Sequence, residues 1–252
     1  MKLLSSLKFA RACTQSQTTM VAVGLVRRLL QRASPRNLQE AALAERCIVV
    51  NEHDKVIGDA SKRDCHRVHP DGNIILHRAF SVFLFNSQNE LLLQKRSPQK
   101  ITFPSCITNT CCSHPLYEIV AEREETDILG VRRAAGRRLN YELGIPLEEA
   151  GPERFQYLTR IHYRDPGDGQ WGEHEIDYIL VLHGNVTLDP NPDEVAEVQY
   201  VAHDKLDNFL KSQSAPLTPW FRLITQHHLR LWWDNLHQLH KFQDHSTIHR
   251  FC

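Results

Sequence analysis

RRLNYELGI, residues 137 to 145, closes on a glycine behind an apolar repeat, and its placement decides how the rest of the chain is read. Ahead of it, Ile128, Val131, Ala135, Leu139 and Leu143 recur at three- and four-residue intervals. That spacing predicts a helix between Thr126 and Gly144 with one apolar face, and Gly144 supplies the stop. Around this helix the texture is short and β-like: CIVVNE at 47 to 52, AFSVFLFN at 79 to 86, ELLLQKR at 90 to 96, then strands near 155 to 163, 175 to 183 and 197 to 201. SerGlnAsn at 87 to 89 reads as a hairpin turn. A last helical block is expected from about Thr218 to His240, with Pro219 in its first turn. Strands interleaved with a central helix and a flanking helical block predict an α/β (α+β) fold, a mixed β-sheet packed between helices. There is no internal repeat.

The 252 residues are 41% hydrophobic and 24% charged, the texture of a globular protein with one sizeable core. Thirty basic residues balance thirty acidic ones, so no global field favours nucleic acid or an anionic membrane, and an anionic substrate must be held by a local cluster. No apolar run reaches the roughly 18 residues needed to span a bilayer. Seven cysteines, an odd number with Cys111 and Cys112 adjacent, fit reduced thiols better than a disulfide framework. Of fifteen histidines, His227, His228, His237, His240, His245 and His249 fall in the C-terminal region and are expected to face solvent.

Residues 1 to 44 read as a basic N-terminal extension and residues 45 to 252 as the folded domain. Residues 1 to 39 hold no Asp or Glu but carry Lys2, Lys8, Arg11, Arg27, Arg28, Arg32 and Arg36. That is the composition of a transit peptide, with Val21, Val23, Leu25, Leu29 and Leu30 suiting a basic amphipathic helix and a mitochondrial address. A disordered basic tail is the alternative.

Residues two apart on a strand share a face, so GluHisGlu at 173 to 175 puts Glu173 beside Glu175, an arrangement that repels unless a cation intervenes. A solvated edge strand would account for the pair equally well. His66 and His77 flank a turn-rich stretch with Pro70, Asp71, Gly72 and Asn73 that can bring two imidazoles together, and His114 lies in CysCysSerHisPro at 111 to 115. Three imidazoles and two carboxylates form a mixed nitrogen and oxygen set suited to Zn2+, Mn2+ or Mg2+. One thiol of the adjacent pair, near cations and imidazoles, is expected to have a lowered pKa and to exchange protons. Arg96, Lys100, Arg138 and Lys62 offer the cations that a diphosphate requires, though each alone reads as a surface charge and Arg138 with Glu142 as an ordinary i,i+4 pair.

The stretch at 137 to 145 resembles the helix of the Nudix box, with Arg138 and Tyr141 in place of two of its glutamates and only Glu142 kept. A Nudix hydrolase uses those carboxylates to hold the ions that activate water, so the resemblance implies a Nudix-type scaffold whose reaction has changed. LHRAFSVFLFN at 76 to 86, TNTCCSHP at 108 to 115 and WGEHEIDY at 171 to 178 resemble the type I isopentenyl-diphosphate isomerases of the animal kind. The resemblance spans roughly residues 45 to 250 and leaves residues 1 to 44 outside it.

That resemblance implies interconversion of isopentenyl and dimethylallyl diphosphate in isoprenoid biosynthesis. By it, His66, His77, His114, Glu173 and Glu175 would bind a divalent ion, and Glu142 a Mg2+ ion, one per diphosphate. Cys112, Glu175, Tyr163 and Trp171 would form the catalytic group, and Lys62, Arg96, Lys100, Ser113, Arg138 and Trp220 the substrate-contacting set. It further implies a small-molecule allylic or homoallylic diphosphate as the partner, a monomer, and, apart from the mitochondrial signal, a cytoplasmic or peroxisomal home. Ser105 stands where the family usually has Gly, and the 116 to 125 loop is about one residue longer. A Nudix-type nucleoside diphosphate hydrolase and a non-catalytic diphosphate-binding module are the competing readings.

Overall fold

A computed structural model describes residues 35 to 251. The amphipathic segment expected around Val21 to Arg32, and most of the stretch read as a targeting signal, lie outside the described residues; helix α1 (Pro35–Ala42) is described. From residue 42 the chain forms one compact unit. Its elements run β1 (Arg46–Val50), β2 (Val56–Ser61), α2 (Lys62–His66), β3 (His77–Phe85), β4 (Leu91–Arg96), β5 (Ile107–Thr108), β6 (Cys111–Ser113), α3 (Leu129–Leu143), β7 (Phe155–Asp165), β8 (Glu173–His183), β9 (Val195–Val201), α4 (Leu206–Ser212), α5 (Pro219–His227), α6 (Leu229–Asp234) and β10 (Ile248–Arg250).

Strand β3 is buried along its whole length. It runs parallel to β8 on one edge and pairs with β1, β6 and β4 in turn on the other. Alternation of side chains then divides the core in two. Phe80, Val82 and Leu84 of β3, with Ile176, Tyr178, Leu180 and Leu182 of β8, pack against Val131, Ala134, Ala135, Leu139 and Leu143 of α3. Phe83, Phe85, Ile179 and Val181 face the other way, onto Trp220, Phe221, Ile224, Trp232 and Trp233 of the C-terminal helices. The sheet is mixed and lies between helices, as expected. Truncating one fully buried residue such as Leu139 removes packing that costs about 2–5 kcal/mol in comparable cores.

The expected strands are present within a few residues, and the hairpin turn closes through Asn86 N to Glu90 O at 3.0 Å. Helix α3 starts later than Thr126, because Asp127 (φ 50) and Ile128 (φ 53) are left-handed and break the helical path, while Gly144 ends it at φ 65. The C-terminal block is not one helix: α5 and α6 are separated at His228 (φ −133), and a 3-10 segment, Leu236–Phe242, follows. Nor does every histidine there face solvent. His228 stacks on Trp232 with ring centroids 5.0 Å apart, and burial, then His249 and His227, lowers its pKa to about 4.

Ser105 sits at φ 59, the left-handed region where an L side chain costs about 1–2 kcal/mol and glycine almost nothing. Glycine loses some of that advantage to the entropy of the unfolded chain. Ser105→Gly is therefore expected to stabilise the protein by about 0.5–1 kcal/mol, raising the thermal midpoint by roughly 1–4 °C. A lower midpoint in differential scanning calorimetry would contradict this.

Candidate active site

Helix α2 opens with Ser61, whose side chain accepts from the Asp64 backbone, and one turn later it delivers His66 into the core. His66 Nδ1 donates to Lys62 O at 2.8 Å, and His77 Nδ1, at the start of β3, donates to Ile75 O at 2.8 Å. A neutral imidazole with its hydrogen on Nδ1 presents a bare Nε2. Both bare nitrogens point to the start of β8, where Glu173 and Glu175 are buried on one face, 3% and 1% exposed. His114, just past β6, completes the group: its Nε2 is 2.9 Å from Glu175 Oε1 and 3.2 Å from His77 Nε2. Tyr163 of β7, opposite Glu175 in the ladder, donates its hydroxyl to Glu175 Oε2 at 2.6 Å.

The electrostatics of this cluster are those of a site built around a cation. His66 Nε2 lies 3.2 Å from Glu173 Oε2, and that oxygen has no hydrogen-bond donor among the described residues. Burial, then the neighbouring imidazoles, pushes the His66 pKa well down, and burial takes His114 to about 3. His77 alone is raised, because the bond and charge of Glu175 outweigh its burial. Burial works against ionised Glu175, but His114 and His77 hold its pKa well below the usual range; burial and then Glu175 push Glu173 up. Ligand atoms of His66, His77, His114 and Glu175 all lie within 4.8 Å of one another. A divalent cation among them would relieve the lone-pair contacts and give Glu173 a partner, so the residues present fit a metal ion.

A second charged cluster involves α3. Arg138, 5% exposed, bonds Glu142 one turn on and stands 3.3 Å from Glu194, which also pairs with Lys100. Gln94 donates to Glu142 Oε2 at 3.2 Å. Lys62 acts electrostatically on His66 and His114 and also on Lys100 and Glu194; Arg96 acts on both Glu173 and Lys100. The two clusters are thus within electrostatic reach. Arg96 also clamps the following loop, donating to Phe103 O at 3.0 Å and Thr102 O at 2.9 Å.

The adjacent thiols separate because successive strand residues point to opposite faces. Cys111 turns to α3, with its sulfur 3.5 Å from Glu142 Oε2, while Cys112 shares the side of Tyr163 and the C-terminal helices. The expectation of a lowered thiol pKa is corrected here: burial, then Asp177, Glu175 and Glu173, pushes Cys112 well up, since carboxylates rather than cations surround it. All five cysteines among the described residues are free.

Trp220 is buried, bonding Asn109 Oδ1 through Nε1 at 2.9 Å, with the Arg96 guanidinium 5.7 Å from its ring centre. Trp171, half-buried, lines a cavity of about 280 Å³ with Phe103, Cys106, Leu217 and Pro219. Ser113 is buried on β6, on the Cys111 side of the strand. Sequence reasoning missed Glu194 and Gln94, which carry no local signal. It also missed Asp177, although the same two-residue period that singled out Glu173 and Glu175 reaches it.

The NUDIX domain model matches residues 75–221. The chain is 54% identical over 215 residues to Isopentenyl-diphosphate Delta-isomerase 1 of Mesocricetus auratus, covering 84% of this chain and 94% of that relative. The corresponding proteins of Bos taurus and Mus musculus are 53% and 52% identical over the same shares. The chain belongs to the isopentenyl-diphosphate Delta-isomerase family.

Within this family scaffold, the α3 helix holds Arg138 and Tyr141 side by side. Arg138 lies 4.8 Å from the centre of the Tyr141 ring. The same helix pairs that cation with Glu142.

Lys100 is buried and paired with Glu194. Burial lowers its pKa to about 8 despite Glu194, while Glu194, flanked by two cations, is held down at about 2. An anion arriving beside Lys100 would restore its charge, so above about pH 8 binding must recruit a proton. The affinity for inorganic diphosphate, measured calorimetrically, is expected to fall as pH rises through about 8, by up to roughly tenfold per unit, and Lys100→Arg should remove that dependence. Unchanged affinity across this range in the native chain would remove Lys100 from the anion site.

Proposed function

We propose that this protein interconverts isopentenyl diphosphate and dimethylallyl diphosphate, an isomerisation that supplies isoprenoid, including sterol, biosynthesis. The observation that carries the reading is the sharing of one sheet side by Cys112, Tyr163 and Glu175, next to the histidine cluster, in a chain of this family. Moving an unactivated double bond requires a proton added at the terminal alkene carbon and another removed from the neighbouring methylene, through a tertiary carbocation-like state. Acid and base must flank the five-carbon unit.

Cys112 is one proton-exchanging group. Glu175, with Tyr163 donating to it at 2.6 Å, is the other, and the direction of reaction decides which gives and which takes. Trp171, at the apolar cavity, supports the developing cation with its ring face, worth about 2 kcal/mol when desolvated. Lys62, Arg96, Lys100, Ser113 and Arg138 hold the diphosphate, which keeps that leaving group bound while the allylic product forms, and Trp220 walls the pocket. A divalent ion (Zn2+, Mn2+ or Mg2+) held by His66, His77, His114, Glu173 and Glu175 would fix the ionisation of Glu175, and a Mg2+ ion beside Glu142, one per diphosphate, would neutralise substrate charge. A single chain supplies every group invoked, which favours a monomer.

The test is incubation of the metal-loaded chain with isopentenyl diphosphate, followed by NMR. Dimethylallyl diphosphate should form, and Cys112→Ala and Glu175→Gln should each lower turnover by at least about a hundredfold while diphosphate binding survives. Phosphate release from nucleoside diphosphates without isomerisation would favour the hydrolase reading. Binding without any turnover would favour a non-catalytic module.

Residues 1 to 39 are proposed to direct the chain to mitochondria, on the strength of seven Lys and Arg and no Asp or Glu. Fused to a fluorescent reporter, they should give mitochondrial signal; diffuse or peroxisomal signal would overturn this.

A further inference from the structure

Beneath the thiol lies a buried polar pair that the reaction as described does not use. Ser81 of β3 stands opposite Cys112 of β6 in their antiparallel ladder. Side chains opposite one another in such a ladder share a face, with Cβ atoms about 4.5–5.5 Å apart. The Ser81 hydroxyl donates its one proton to Asp177 Oδ2 at 2.7 Å, so toward the thiol on its own face of the ladder it offers oxygen lone pairs. Asp177 follows Glu173 and Glu175 on the same face of β8, and neither Ser81 nor Asp177 has any exposure. Its second oxygen, Oδ1, has no hydrogen-bond partner among the described residues.

Two apolar side chains of like volume would fill this part of the core without leaving a buried carboxyl oxygen unpaired, so packing alone does not account for the pair. What the pair does have is a place directly across the ladder from the sulfur, on the same face. Rotation about the Cys112 Cα–Cβ bond offers three staggered positions, and a partner on the same face favours the one that meets the hydroxyl. The hydroxyl is itself held from behind by the carboxyl. The chain Asp177 to Ser81 to Cys112 therefore runs from the fully buried core to the half-buried thiol at the site.

We propose that Ser81, anchored by Asp177, is the positioning residue that fixes the Cys112 sulfur toward the five-carbon unit. Neither residue touches substrate; both act through the thiol. The inference rests on the thiol's role in the isomerisation proposed above, and it adds a structural requirement for that role. It depends on the hydrogen bond that Asp177 accepts and not on a proton that Asp177 carries, so an amide oxygen at the same place should serve.

The experiment uses the full-length metal-loaded chain and four variants: Ser81→Ala, Ser81→Thr, Asp177→Leu and Asp177→Asn. For each, kcat and KM for isopentenyl diphosphate are measured beside the thermal midpoint and the rate at which iodoacetamide alkylates Cys112, followed by mass spectrometry. Ser81→Ala and Asp177→Leu should lower kcat at least about tenfold with KM within about twofold, and change the alkylation rate; Ser81→Thr and Asp177→Asn should recover most of both. Native kcat and alkylation in Ser81→Ala would overturn the proposal. So would a loss in Asp177→Asn as large as that in Asp177→Leu, since the proton and not the bond would then matter. If Asp177→Leu does not fold, the Ser81 pair decides alone. Should the native chain prove inactive while alkylation still follows Ser81, the isomerase reading fails and the positioning of the thiol stands.

Discussion

Removal of charge from water governs the site. His66, His77, His114, Glu173 and Glu175 are all at most 5% exposed, in a core where an uncompensated ion is unaffordable. The structure meets that constraint by fixing each ring from behind. With Lys62 O and Ile75 O taking the Nδ1 hydrogens, His66 and His77 present acceptors to an already negative centre. Acceptors facing acceptors are tolerable only if a positive charge shares the space, on His77, whose pKa is raised, or on a bound cation. The same constraint explains why helix α2, five residues long, is tied down by the Ser61 cap: a frayed first turn would release Lys62 O and, with it, the orientation of His66.

The sheet supplies the rest by geometry. Because β3 is sandwiched, every neighbouring strand inherits two chemically distinct sides. One side receives the imidazoles, the acids of β8 and the Cys112 thiol; the other receives α3 with Glu142 and Arg138. Lys62 and Arg96 lie where their fields reach both. Asp54 gathers Arg78 Nε at 2.9 Å, Arg160 at 2.9 Å and the Tyr178 hydroxyl, which ties the β1–β2 turn to β3, β7 and β8. A rigid frame of this kind lets short loops carry reactive groups without a large entropic cost at the moment of binding.

Much of this was legible in the sequence wherever a short-range period operates. The two-residue period of β8 placed Glu173 and Glu175 together, and the three-to-four period of α3 located the helix whose last residues carry Glu142. The SerLysArgAsp run at 61 to 64 carries a capping pattern that would also have announced α2. What could not be read were groups joined only by the folded topology: Glu194, from a turn before β9, meets Lys100 and Arg138 across long sequence separations. The start of α3 falls past Thr126 because Asp127 and Ile128 both turn left-handed, a conformation that Asp tolerates but that β-branched Ile128 does not announce. The thiol's environment is read from the sequence with the wrong sign, since burial, and then the carboxylates of Asp177, Glu175 and Glu173, act on the sulfur.

The opposed directions of Cys111 and Cys112 bear on how the protein meets oxidants. Vicinal cysteines on a flexible loop can close a disulfide and so shelter a reactive sulfur from irreversible damage. Here the β6 pairing with β3 turns the two sulfurs to opposite sides, and closing that ring would require the strand to leave the sheet. A sulfenic acid formed on Cys112 therefore has no help from its immediate neighbour, and its fate passes to thiols from elsewhere. The strand that holds the thiol in place also denies it the nearest means of repair.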